Sequence, residues 1–220
     1  ARHDRVRRDP AVLALFADEP VDPGPPPALP DDRLKLLFVC AHPAIDPLVR
    51  TPLMLQVVLG LDAARIASAF LVSPAAMSQR LVRAKTRIRE TGLRFEEPEA
   101  AELPARLDAV LEGIYAAYGS AWEDVAGADP RHAGLAEEAI WLARIVVAAL
   151  PRAAEARGLL ALVLHCEARR GARRDDDGRF VPLTAQDSRR WSGPLLQEAE
   201  RELALAARSG VPGRFQLEAA

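Results

Sequence analysis

The sequence predicts an all-α protein. Apolar residues recur at three- and four-residue steps over most of its 220 residues, and helix-start and helix-stop residues bracket those runs. The one stretch that reads as extended chain, Phe180-Val181-Pro182-Leu183, is short. Arg-rich residues Ala1–Phe16 read as the tail of a preceding region. Six prolines between Glu19 and Pro30 make a semi-rigid linker, so 1–30 precedes the first domain. Asp31-Asp32 cap a helix that runs to about His42, with Leu34, Leu37, Phe38 and Cys40-Ala41 turned inward. A second helix, about Pro47 to Leu59, carries Leu48, Leu53, Leu55 and Val58, and Gly60 stops it.

Leu61–Glu90 is the stretch around which the chain is organised. Asp62 caps a short helix with Ile66 and Phe70 on its apolar side. Ser73-Pro74 then restarts the chain as N-cap and first helical residue. Met77, Leu81, Ala84 and Ile88 form one buried stripe. At roughly 100° per residue, Ala75, Gln79, Val82, Arg83 and Thr86 face the other way. Arg80 and Arg87 lie on one flank of that face, Ser78 and Lys85 on the other. A short helix, a turn and a longer helix with a basic outer face is the helix-turn-helix pattern. Between Asp62 and Glu90 there are six basic residues and no acidic one, which points to a polyanion. The plainer reading is a helical hairpin with a solvated basic face, but such a face ordinarily mixes signs to gain i,i+4 pairs.

Residues 31–95 thus make a four-helix unit, and 96–220 a helical extension of different composition. Eight acidic residues between Glu96 and Asp124 stand against Arg106 alone. Leu103, Leu107, Val110, Leu111, Ile114, Tyr115 and Tyr118 form an amphipathic stripe. After a loop at Gly127–Pro130, Leu135–Leu150 is apolar almost all round and is expected at the centre. Pro151 opens the next helix, Ala153–Arg169. Asp175–Gly178 is a turn, and a last long helix is capped at Asp187 or after Gly193. Phe215–Glu218 starts another. Paired helices of this length suggest a tetratricopeptide-like stack.

The net charge is −2 and the pI about 6.2, so the basic segment is a local asymmetry. Two cysteines exclude a disulfide framework and fit a reducing cytosol. No apolar run approaches the ~18 residues that cross a bilayer, so a soluble cytoplasmic protein with no membrane contact is expected. Cys40, His42, His165 and Cys166 invite a zinc site but lack its usual spacings. No cofactor, metal or catalytic motif is expected, and no enzyme.

Asp32-Arg33-Leu34…Phe38-Val39-Cys40-Ala41-His42-Pro43, Leu59-Gly60-Leu61…Ile66-Ala67-Ser68-Ala69-Phe70-Leu71-Val72 and Met77-Ser78-Gln79-Arg80-Leu81-Val82-Arg83-Ala84-Lys85 together resemble region 4 of an extracytoplasmic-function sigma factor. The subgroup with a long C-terminal helical extension is the most similar. Its Asp-Gln-Asp-Arg-Ser-Arg-Trp-Asp-like motif corresponds to Ala185-Gln186-Asp187-Ser188-Arg189-Arg190-Trp191-Ser192, without the two outer acids. The resemblance covers 31–220. It implies a bacterial transcription initiation factor whose region 4 docks on the RNA polymerase core and reads the promoter −35 element. Ser78, Gln79, Val82 and Arg83 are then the base readers, with Ser78 in place of a basic residue. Arg65, Arg80, Lys85 and Arg87 are expected on phosphates. Region 2 has no counterpart here, so the chain is expected to be a piece of a longer protein. The alternative is a helical protein-interaction scaffold that binds no DNA. In the extension motif, Gln186, Asp187, Arg190 and Trp191 make a partner or small-ligand site, or else a buried Asp187–Arg190 pair under Trp191. The acidic stretch 96–124 is further expected to fold against the basic helix and mask it.

Overall fold

A computed structural model describes residues 29, 31–90, 98–123 and 134–220. They form nine helices, and the architecture is all-α. The Arg-rich start, the linker apart from Leu29, the Gly92 stop and the Gly127–Pro130 loop lie outside the described residues.

The first unit holds α1 (Asp32–Cys40), α2 (Pro47–Val57), α3 (Ala63–Ala69) and α4 (Pro74–Glu90). Each begins where a short polar side chain can take up orphan amides. Asp31 accepts from the amides of Arg33 and Leu34, Asp46 from Leu48, Asp62 from Arg65, and Ser73 Oγ from Ala76. Gly60, at φ 69°, ends α2, and the Leu61 amide reaches back to the Leu55 carbonyl at 3.0 Å. The α3–α4 turn closes in the same way, with the Val72 amide on the Ala67 carbonyl at 3.0 Å. There the left-handed position is held by Leu71, at φ 52°.

The extension holds α5 (Leu103–Glu123), α6 (Leu135–Ala149), α7 (Ala154–Ala168), α8 (Gly193–Ala207) and α9 (Arg214–Ala219). Successive helices α5 to α8 each pack on the next, and α9 returns onto α7. Apolar positions almost all round α6 are buried, as its composition predicts. The turn at Asp175–Gly178 forms, with Gly178 at φ 79° and one antiparallel bridge between Arg174 and Phe180.

Two expectations need correction here. Leu48 is 77% exposed rather than buried, because it sits at the solvent-facing start of α2 while Val49, Leu53, Met54 and Leu55 take the inward side. Pro151 lies in a turn ahead of α7, which begins only at Ala154 without a side-chain cap.

The two units share one core. A single cluster of buried apolar side chains runs from Leu29 through Phe38, Met54, Met77 and Ile114 to Phe215. α5 packs on α2 and α1, and α6 also reaches α1. Arg106, 3% exposed, crosses between the units, donating Nη1 to the Phe38 carbonyl at 3.3 Å and Nη2 to Glu102 at 2.7 Å. Arg33 pairs with Glu138 and lies 4.5 Å over the Trp141 ring.

Candidate nucleic-acid interface

α3 and α4 form the helix-turn-helix, and α4 is seated by the stripe that its spacing predicts. Met77, Leu81 and Ile88 are buried and Ala84 is half-buried. The opposite side faces solvent. Ser78, Gln79, Val82 and Arg83 are all exposed, Val82 to 59%. Arg80, Lys85 and Arg87 are exposed beside them, so the structure brings seven of the eight expected DNA-contact residues onto one continuous outer surface.

Arg65 differs. It is half-buried in α3, and its Nε and Nη2 are shut away from solvent without a hydrogen-bond partner among the described residues. Arg89 is tied to its own helix, donating to the Lys85 carbonyl and to Thr86 Oγ1, both at 3.3 Å. Arg80 and Arg83 are exposed and form no ion pair among the described residues.

Among the described residues, the extension does not pack chiefly on the basic side of α4. α5 lies against α1 and α2, whereas α4 packs on α3 and α2. Two acids are engaged elsewhere, Glu112 of α5 with Arg214 and neighbouring Glu102 with Arg106. The extension does contact the first unit, but through its buried side. The physical reason is the apolar stripe of α5, which can be buried only against other apolar faces and so takes α5 to α1 and α2 rather than to the charged side of α4.

Two cavities flank α4. One, of about 240 Å³, opens between the start of α2 and Arg80, Arg83 and Arg87, with Ile45, Val49 and Ile88 as its floor. The other, about 420 Å³, is almost wholly apolar. Leu36, Cys40, Leu53, Val57 and Ile88 line it, and Lys85 and Arg89 stand at its rim. Neither is visible in the sequence, because each is assembled from α4 and residues 30 to 50 positions earlier.

The remaining constellations sort themselves by geometry. Among the described residues, no three His, Cys, Asp or Glu side chains come close enough to hold a metal ion. His42 Nδ1 accepts from the Ala44 amide at 3.1 Å, and burial lowers its pKa, as it does that of His165. Burial pushes the Cys40 thiol up to about 12. The buried Asp187–Arg190 pair is corrected. Asp187 pairs with Arg189 at 2.9 Å, and Arg190 is exposed. The segment is a 3-10 turn, Ser188–Arg190, with Asp187 as its cap, so the carboxylate meets the Arg189 amide at 3.0 Å instead of a side chain one turn along an α-helix. That bonding, the Arg189 guanidinium foremost, holds the Asp187 carboxyl below its usual range.

Comparison with known proteins finds a family match within the extension and a relative that matches most of the chain. Residues 106–207, from α5 to the end of α8, match the model of a family of unknown function (DUF6596). An uncharacterized protein of Rhizobium meliloti (strain 1021) is 42% identical over 190 residues, covering 86% of this chain and 45% of that protein. The chain therefore spans less than half the length of that relative. No solved structure matches it. Among the described residues, no helix is long and apolar enough to cross a membrane.

Proposed function

We propose that the chain is the promoter-reading part of a bacterial transcription initiation factor of the extracytoplasmic-function sigma type, with a helical extension fixed to it. The observation that carries this reading is the outward face of α4, where Ser78, Gln79, Val82 and Arg83 are exposed between Arg80, Lys85 and Arg87 with no acidic residue among them. A recognition helix must offer short and planar polar side chains to base edges and cations to the phosphates on either side. Arg83 suits a guanine, Gln79 an adenine and Val82 a thymine methyl. The apolar groove beside α4, with Lys85 and Arg89 at its rim, supports docking of an amphipathic element of the polymerase core.

The test is fluorescence anisotropy against duplexes selected from a random library. Binding should weaken with salt at a slope of about −3 to −4, the value for three or four neutralised phosphates. Arg83→Ala should cost about 1–3 kcal/mol on the selected duplex and little on a scrambled one. Arg80→Ala should weaken both and reduce the salt slope by about one. Binding untouched by either substitution would overturn the reading. The alternative, an interaction scaffold without DNA binding, is favoured by the same apolar groove, and it predicts no salt-dependent duplex binding at all.

A further inference from the structure

A second concentration of arginine is built into the extension, at the end of α7. Arg169 and Arg170 are expected there, since helix C-termini attract cations, but that field fades within the last turn. Arg173 and Arg174 lie beyond it, after the 3-10 turn Arg170–Ala172. Glu167 is engaged by Arg170 Nε at 2.9 Å and by the Tyr118 hydroxyl at 3.1 Å. Two of the neighbouring acids are committed to the loop: Asp175 Oδ1 takes the amides of Asp177 and Arg179 at 3.0 and 2.8 Å, and Asp177 pairs with Arg179. Burial lowers the pKa of Arg173; Tyr118 and Cys166 act against that shift, and Arg174 and Arg170 add to it.

The extension motif is laid over this corner. The Ser192 amide donates to the Ala168 carbonyl at 2.9 Å, and the Val181 amide to that of Arg173 at 2.8 Å. Gln186 Nε2 in turn holds the Val181 carbonyl at 3.0 Å. Three donors in this neighbourhood are buried without a hydrogen-bond partner among the described residues: Arg170 Nη2, Arg174 Nε and Trp191 Nε1. One acceptor, Gln186 Oε1, is in the same condition. Unmade buried hydrogen bonds are costly, and natural proteins hold few. Four such atoms fall in this corner, where Arg174 already gives Nη1 to the Gly178 carbonyl at 2.6 Å, and a ligand that supplies oxygens would satisfy the three donors.

We propose that this corner binds a phosphate monoester, with Arg170, Arg174 and Trp191 donating to the phosphoryl oxygens and Gln186 Oε1 accepting from a hydroxyl of the organic part. A monoester carries a charge near −2 at neutral pH, which suits two guanidinium groups better than a single carboxylate does. The planar guanidinium fork also fits phosphate oxygens in pairs. The site does not depend on the DNA-reading assignment.

The test titrates the whole chain with inorganic phosphate, against chloride at matched ionic strength, and follows the three tryptophan indole N–H resonances. Trp191→Phe, which keeps a ring and removes the N–H, assigns the peak. The Trp191 resonance should move saturably with phosphate alone. Arg170→Gln with Arg174→Gln should weaken the response about tenfold or more, as expected for lost charge-assisted bonds. Arg80→Gln with Arg83→Gln should leave it intact. Should the arginine pair disturb folding, phosphate-induced thermal stabilisation of Trp191→Phe gives an independent reading and should be reduced. The site is overturned by a Trp191 resonance that ignores phosphate or follows chloride equally. A response lost only in the Arg80/Arg83 variant overturns it as well.

Discussion

Leu71 holds a backbone conformation that β-carbon sterics disfavour by about 1–2 kcal/mol, and its side chain, 95% exposed, recovers nothing by burial. Leu71→Gly should therefore raise stability by up to about 1 kcal/mol, the strain relieved less the added entropy of the unfolded chain. A higher urea midpoint with unchanged helicity would show it; a lower midpoint would mean that Leu71 makes an unrecognised contact. Arg106 has the opposite character. Removing it strands the Phe38 carbonyl and leaves a hole between the two units, so Arg106→Ala should cost about 2–4 kcal/mol in denaturant unfolding. The clue in sequence was its isolation, a lone base in an acidic stretch. Periodicity could not use that clue, because Arg106 belongs to the buried side of α5.

α9 lies close against α7. A β-carbon on Gly158 would stand 2.7 Å from the Gln216 backbone amide nitrogen, whereas one on Gly113 would meet chiefly the Met54 sulfur, at 2.6 Å. Backbone cannot swing aside as a thioether can, so Gly158→Ala should loosen α9 despite its gain of about 1 kcal/mol in helix propensity. Gly113→Ala should be milder. Faster amide exchange at Phe215 and Gln216, whose N–H groups Glu155 caps at 2.9 and 3.3 Å, is the readout. This docking was illegible beforehand, since it joins residues about 60 apart. What could be read was local. The stripe of α4 is a single unbroken period, and Asp31, Asp62 and Ser73 stand where caps must. In α2, Leu48, Val49, Leu53, Met54, Leu55 and Val57 leave no polar face to orient the helix. Its buried side is decided by α5, which periodicity within α2 cannot see.

At the scale of the whole molecule, the shared core makes the helix-turn-helix and the extension depend on one another. Acid should expose this first through histidine. Burial lowers the folded-state pKa of His42 and His165 below 6.5, so the unfolded chain binds protons more readily across that interval. Their contribution is complete above about pH 6.5 and is lost as the pH falls through the lowered folded values. Glu102, held down chiefly by Arg106, adds a loss only below the ordinary carboxylate range. The urea midpoint should thus fall between pH 7 and 5, and His42→Gln with His165→Gln should flatten that slope. The same core decides what cutting the chain would do. Deleting 96–220 removes the helix α5 that lies against α1 and α2 at Phe38 and Met54, both inaccessible to solvent in the intact chain. Residues 31–95 alone should then expose that apolar face and unfold or associate, so changed DNA binding in such a fragment would report lost structure and not a lifted mask. The intact chain should unfold in one step, with helical circular dichroism and tryptophan fluorescence coinciding in urea. Two separated transitions, or a monomeric and cooperatively folded 31–95 fragment, would show that the units are independent after all.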